Sequence, residues 1–268
     1  SDDGFRDLTE KITRESSFRC TSYKDRCVRR RIGVRMRARG TATYEQYSSI
    51  LDTDGSEYEQ LIDVLTVNVT RFFRNPTAFA AIRQHVIPDL WQRRHTIRGW
   101  SAGTASGEEA FSLAALFYEY ATERDELHRM SRVSVLGSDI DRASLATARL
   151  ATYLPASFAD TDPEALERLF PACRGGRTVV LPVRAVTSFE RRDLLTEPPA
   201  NGTFDLITCR NVLIYLDRAS QEALLNSLYD CLRPGGYLAL GRVETLFGKS
   251  RTQLTPVDVR ERLYRKPV

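Results

Sequence analysis

With 268 residues, 42% of them hydrophobic and 28% charged, the chain has enough apolar material for one large or two modest domains with a real core. No apolar run reaches the length needed to cross a bilayer, and no signal peptide precedes the first motif, so no membrane insertion is expected. The net charge of +4 is unevenly spread: Lys24 to Arg39 holds eight cations against the single acid Asp25, a net +7, and the remainder carries −3. The chain opens on Ser1, as a trimmed or processed chain would. Five scattered cysteines (Cys20, Cys27, Cys173, Cys209, Cys231) and only three histidines, with no Cys-x-x-Cys, argue against a zinc site or disulfide framework. No metal is expected, and a reducing cytoplasm is the expected setting.

Residues 1–66 read as helical throughout. Phe5, Leu8 and Ile12 keep helical spacing, as do Tyr44, Tyr47, Leu51, Tyr58, Leu61 and Leu65. Between them Val28, Ile32 and Met36 form an apolar stripe beneath the arginines, and Gly40 is placed to cap that helix. A solvated charged face explains the arginines blandly. The functional alternatives are docking to an acidic protein surface or to nucleic acid, the latter disfavoured by the lack of aromatic interleaving and of any nucleic-acid fold motif. The stretch Leu65 to Pro76 crowds Asn68, Thr70, Phe72 and Phe73 at a domain junction, either as part of a site or as a capping and packing segment. Pro76 opens a helix through Phe79, Ile82 and Val86.

Thr96 to Trp100 alternates as a short buried strand. Ala110, Phe111, Leu113, Ala114, Phe117 and Tyr118 then mark one face of a helix. Between them lies Ser101-Ala102-Gly103-Thr104-Ala105-Ser106-Gly107-Glu108-Glu109. Its small residues let a ligand approach the backbone, and the helix N-terminus adds amide donors. The spacing fits neither a P-loop nor a dinucleotide fingerprint, and the two acids would repel a pyrophosphate while accepting an ammonium group. A plain strand–helix turn with favourable first-turn charge explains the same residues.

From Arg132 strands and helices alternate, which predicts an α/β sheet with crossover helices. Val133 to Ser138 is a strand ending in Asp139-Ile140-Asp141, where Asp139 is placed to accept from ribose hydroxyls and Asp141 to cap the next helix. Thr203 to Cys209 is a strand opening into Arg210-Asn211. Leu232 to Gly236 reads as a turn leading into a strand from Tyr237 to Gly241, and Val257 to Tyr264 as one alternating edge strand.

Five motifs occur in order: Asn68-x-Thr70-x-Phe72-Phe73-Arg74; Trp100-Ser101-Ala102 with Ser106-Gly107-Glu108-Glu109; Asp139-Ile140-Asp141; Cys209-Arg210-Asn211-Val212-x-Ile214-Tyr215; and Leu232-x-Pro234-Gly235-Gly236. Together they resemble the bacterial chemotaxis receptor glutamate methyltransferases, the CheR family, over nearly the whole chain. The resemblance implies a Rossmann-like methyltransferase sheet with a reversed last strand (67–268), a small β-subdomain insert at about 171–190 and a helical N-terminal domain (1–66). It implies S-adenosylmethionine as cofactor, S-adenosylhomocysteine as product and glutamate side chains as substrate. By the same resemblance Asn68, Thr70 and Arg74 reach the cofactor from the linker, with Ala102 and Gly103 beside it. Glu109 faces its methionine portion, Asp139 its ribose, and Asp193-Leu194 and Arg210-Asn211 its adenosine. Arg74 and Tyr215 match the residues nearest methyl transfer, although a core tyrosine capping the strand would also account for Tyr215.

The implied partner is an acidic helical region of a chemoreceptor-like protein, docked through the basic helix Lys24–Arg39. Two features depart from the family pattern. The hairpin in the insert looks short for gripping a tether peptide, and Gly241-Arg242-Val243-Glu244 replaces Gly-His-Ser-Glu. A cofactor-binding module without catalysis would need neither Arg74 nor Tyr215, and both are kept. A nucleic-acid methyltransferase would show an Asn/Asp-Pro-Pro-Tyr-type motif, and none is present.

Overall fold

The apolar stripes of the first 66 residues do build helices: α1 (Asp2–Glu15), α2 (Asp25–Ala38), α3 (Tyr44–Thr53) and α4 (Gly55–Leu65). Phe5, Leu8, Ile12, Val28, Ile32, Met36, Tyr47, Leu51, Leu61 and Leu65 meet in one buried core. Gly40 ends α2 as expected. At φ +66° it lets its own amide reach Arg37 O and the Thr41 amide reach Met36 O, a Schellman motif. The computed structural model describes residues 2–16, 18–66 and 70–268.

Two compact units divide the chain, Ser1–Val67 with Tyr215–Gln221, and Asn68–Ile214 with Glu222–Val268. The return of Tyr215–Gln221 to the helical unit is not legible in the sequence. It is fixed there by backbone bonds from Lys24 N to Tyr215 O (2.9 Å) and from Asp217 N to Ser22 O (3.0 Å).

The cations of α2 divide by role. Arg31 is buried, donates to Leu65 O and lies 4.7 Å over the Tyr215 ring. Arg35 and Arg39 neutralise Glu57 and Asp54, and Arg29 pairs with Asp2. Arg26, Arg30 and Arg37, spaced along one helical face, are exposed and form no ion pair among the described residues.

The second unit begins with α5 (Pro76–His85) and α6 (Ile87–Arg93), followed by β1 (Ile97–Ala102), α7 (Glu108–Glu123), β2 (Val133–Asp139) and α8 (Arg142–Leu150). A small antiparallel sheet, ordered β3-β5-β4, uses β3 (Thr152–Tyr153), β4 (Ala172–Cys173) and β5 (Gly176–Thr178), with α9 (Pro163–Leu169) between its first two strands. After α10 (Leu181–Ala185) come β6 (Thr187–Arg191), β7 (Phe204–Cys209), α11 (Arg218–Cys231), β8 (Leu232–Leu240), α12 (Lys249–Gln253), β9 (Thr255–Asp258) and β10 (Leu263–Arg265). The main sheet runs β6-β2-β1-β7-β8-β10-β9. Its first five strands are parallel, while β10 is antiparallel to both neighbours, the reversed last strand. Every residue of β7 is buried, as a central parallel strand requires.

Three expectations need correction. The insert is not confined to about 171–190: Thr152–Tyr153 supply a strand to the small sheet, while Thr187–Arg191 pair in parallel with β2 in the main one. The expected turn at Leu232–Gly236 is part of β8. A register shift against β7 between Phe204 and Leu206 absorbs Pro234 and the glycines as a bulge. Finally, Val257 to Tyr264 is a hairpin rather than one strand. Asp258 Oδ1 accepts the Glu261 amide at 3.0 Å and Arg262 takes φ +55°, so a turn forms without the glycine that would announce it. No helix among the described residues is long and apolar enough to cross a membrane.

Candidate active site

The order of strands reverses about β1, which is flanked by β2 and β7, so the carboxyl ends of these three strands frame the crevice where α/β sheets bind ligands. Ala102, buried, ends β1 there. In the turn that follows, the amides of Gly103 and Thr104 both donate to Ser138 O at 2.9 Å, and that of Ala105 donates to Asp139 Oδ2 at 2.8 Å. The amide donors expected for a ligand are those of the helix N-terminus, whereas these belong to the turn before it. They stitch the turn to β2.

The two glycines serve packing. A Cβ on Gly103 (φ +79°) would meet Val212 Cγ2 at 2.5 Å, with Leu194 Cδ1 at 3.8 Å. One on Gly107 (φ +94°) would meet Ala148 Cβ at 2.8 Å and Phe189 Cζ at 2.9 Å. Gly107→Ala is therefore expected to cost about 1–3 kcal/mol of stability, measured by urea denaturation, because left-handed backbone strain and a clash act together.

Asp139 is nearly buried, and no cation pairs with it among the described residues. Burial pushes its carboxyl above the ordinary range, against the amides of Asp141, Ala105 and Ile140 that favour the charged form. Two of a carboxylate's four or so lone-pair sites accept the Ala105 and Asp141 amides, at 2.8 and 3.0 Å, which leaves acceptor capacity for a pair of hydroxyls. Asp141 caps α8 through the Ala143 amide at 2.9 Å. The Arg192 amide reaches Asp139 O at 2.9 Å, which brings the following Asp193-Leu194 turn beside the same strand end. Asp193 Oδ1 accepts from the Leu195 amide.

Glu109 lies at the base of the crevice. Its Oε1 accepts from Ser101 Oγ (2.9 Å) and Thr208 Oγ1 (2.6 Å), both of them fully buried hydroxyls on β1 and β7, and its Oε2 faces Arg210 Nη1 at 3.4 Å. Arg210 reaches onward. Its Nη2 donates to Arg74 O at 2.7 Å and Asn75 Oδ1 at 3.1 Å, and its guanidinium lies 5.1 Å over the Phe79 ring. Phe73 and Asn75, on either side of Arg74, adopt φ +52° and +59°. The Phe72 amide bonds Ser157 O, the Phe73 amide bonds Ser112 Oγ, and Phe72 stacks on Phe158 at 4.9 Å. Arg74 is thus carried on a backbone fixed at four points.

The structure brings together Arg74, Ala102, Gly103, Glu109, Asp139, Asp193, Leu194, Arg210 and Asn211 in one unit. Thr70 is half-buried at its start, Asn68 lies outside the described residues, and Tyr215 belongs to the helical unit. Tyr215 is only half-buried, not a core tyrosine. Glu108 parts company with Glu109: it is buried and accepts from Ser106 Oγ (2.7 Å) and Ser157 Oγ (3.1 Å), with its carboxyl raised by burial.

Sequence reasoning also missed Ser101, Thr208, Asn75 and Glu244. Two left a signal: Ser101 stands in the Trp100-Ser101-Ala102 motif, and Glu244 is the acid retained in the altered Gly241-Arg242-Val243-Glu244 segment.

Residues 68–263 match the family described as CheR methyltransferase, SAM binding domain, and residues 3–66 match its all-alpha domain. A chemotaxis protein methyltransferase of Pseudomonas aeruginosa is 31% identical over 231 residues, covering 84% of each chain. One from Salmonella typhimurium is 32% identical over 253 residues, covering 91% of this chain and 84% of the relative. A 104.1 kDa Rhodobacter capsulatus protein is 35% identical over 243 residues, but this chain spans only a quarter of its length. The acids at the strand ends, the glycine turn and the helical unit therefore fall in a shared framework, and the chain belongs to the CheR methyltransferase family, with an S-adenosylmethionine-binding domain over residues 68–263.

Proposed function

We propose that the chain methylates glutamate side chains of chemoreceptor-type signalling proteins, leaving glutamate methyl esters and S-adenosylhomocysteine. S-adenosylmethionine supplies, when bound, a methyl group activated by a positively charged sulfur. In this reading Asp139 accepts from the ribose hydroxyls and Glu109 from the ammonium end. Asp193, Leu194, Arg210 and Asn211 line the adenosine, with Asn68, Thr70, Ala102 and Gly103 completing the contacts. A substrate glutamate is already ionised at neutral pH and needs no general base. Position is what it requires. Arg74 orients the substrate carboxylate or the cofactor's own, and Tyr215 hydrogen-bonds nearby.

The observation that carries the reading is the Arg210 bridge. One guanidinium holds both the Glu109 carboxylate and the Arg74 carbonyl, so the acceptor for the cofactor's ammonium group and the proposed methyl-transfer arginine move as one body. The docking face for an acidic helix is the exposed stripe Arg26, Arg30 and Arg37, which forms no ion pair among the described residues. Like other cytoplasmic signalling enzymes, the chain would work with its five cysteines free, as they are here.

Labelled S-adenosylmethionine offered with acidic helical peptides tests the proposal. Label should enter peptides bearing glutamate, not their glutamine counterparts, and leave as methanol on mild base treatment. Label on RNA or DNA, or base-stable label on peptide, would overturn it.

A further inference from the structure

Beyond the strand ends already described, a further buried acid borders the site: Glu244, which is only 3% exposed. No cation pairs with it among the described residues. Its Oε2 accepts the amide of Asn211 at 3.0 Å and that of Gly241 at 2.6 Å. The amides of Leu213 and Val212 also favour its charged form, so it sits in a nest of backbone donors from two separate segments. Its other oxygen, Oε1, is buried and has no hydrogen-bond partner among the described residues. Burial pushes the carboxyl above the ordinary range, opposed by those amides.

The geometry explains why this acid is needed. Asn211 leaves the end of β7 at φ +62°, a left-handed conformation that costs free energy for a side-chain-bearing residue. Asn211 follows Arg210, whose guanidinium holds Glu109 and Arg74 O, and it precedes Val212, whose methyl fills the space over Gly103. One bend therefore sets three parts of the crevice. Gly241 must be glycine for the acid to reach across: a Cβ there would lie 2.6 Å from Glu244 Oε2 and 2.9 Å from the Asn211 amide. The segment Gly241-Arg242-Val243-Glu244 keeps its first and last residues, the two that touch Asn211. The middle pair points away from Asn211: Val243 is 73% exposed, and the half-exposed Arg242 stands 3.7 Å from the buried Glu261.

We propose that Glu244 is a positioning residue for the cofactor site: its carboxylate binds the amides of the Asn211 bend and holds Asn211 against the adenosine. This rests on the reading of Asn211 as an adenosine contact, not on which side chain is methylated. The full chain with Glu244→Ala, Glu244→Gln, Asn211→Ala and the Glu244→Ala/Asn211→Ala pair is titrated with S-adenosylhomocysteine by calorimetry, at a temperature where circular dichroism shows each variant folded. Glu244→Ala should weaken binding by roughly tenfold to a hundredfold, the scale of losing an ionic acceptor for buried amides. Glu244→Gln keeps an acceptor oxygen and should recover most of that loss. The paired variant should be no weaker than the weaker single one, because both act through one contact. Wild-type affinity in Glu244→Ala, losses that add fully in the pair, or a Glu244→Gln variant as weak as Glu244→Ala would each overturn the proposal. Should Glu244→Ala fail to fold, Glu244→Leu, which fills the volume without an acceptor oxygen, takes its place in the same cycle with Asn211→Ala, and full additivity there overturns it. Because cofactor affinity is the readout, a failure of glutamate methylation leaves this result intact.

Discussion

Arg74→Ala is expected to cut methyl transfer by about a thousandfold while the chain stays folded and still binds S-adenosylhomocysteine. One charge pair at about 4 Å contributes about 4 kcal/mol at an effective dielectric near 20, which corresponds to a factor of about a thousand in rate. The backbone at this position is held independently of the side chain. Arg210 binds the Arg74 carbonyl, Ser112 binds the Phe73 amide, and Phe72 is stacked among Tyr153, Phe158 and Phe170. Truncation therefore removes the guanidinium and leaves these backbone anchors in place. Arg74→Lys should recover only part of the loss, since a point charge lacks the planar fork that orients a carboxylate. The measurement is kcat with an acidic peptide at saturating cofactor, beside cofactor affinity by calorimetry. Near-normal turnover in Arg74→Ala would remove it from the methyl-transfer step.

In the helical unit, Arg35→Ala should destabilise by about 3–5 kcal/mol, the cost of leaving a buried charge without its main partner. Glu57 is fully buried. Arg35 grips both its oxygens, at 2.9 and 2.8 Å, Tyr47 donates its hydroxyl at 2.6 Å, and Arg39 stands off at 3.7 Å. Burial by itself pushes the Glu57 carboxyl up, but Arg35 and Tyr47 together outweigh it, and the group ends below its ordinary 4.5. A folded-state pKa below the unfolded one means that the stabilisation is full above the ordinary range and disappears as the pH falls through the folded value. Urea denaturation of the full chain should therefore show a large gap between wild type and Arg35→Ala at neutral pH, and a smaller one in acid. Replacing Arg35 and Glu57 together by methionine should cost less than Arg35→Ala, because no buried charge is left behind. A gap independent of pH would show that Glu57 is not the group Arg35 serves.

Much of the molecule was legible in the chain itself. Apolar spacing of three and four marked the core faces of α1 to α4. A glycine at position 40 marked the end of α2, and an acid at the carboxyl end of β2 marked the crevice. These signals are local, carried by residues that touch neighbours a few positions away or repeat with the period of their element. The β8 bulge and the β9–β10 hairpin escaped because a strand can absorb Pro-Gly-Gly through a register shift, and Asp258 with a left-handed Arg262 can turn a chain without glycine.

At the site the division is the same. The sequence by itself determined which residues are small, which are acidic and which motifs stand in order. Glu108 and Glu109 look alike on that evidence. Only the fold separates them, since adjacent helical positions point about 100° apart: Glu108 meets Ser106 and Ser157, while Glu109 meets Ser101, Thr208 and Arg210. Likewise Arg210 and Arg74 are more than a hundred positions apart, and Glu244 and Asn211 more than thirty. Such contacts have no period and no fixed spacing. They exist only where parallel strands bring their carboxyl ends side by side, and so the tertiary structure alone decided which charges meet, which amides are taken and which acids stay buried.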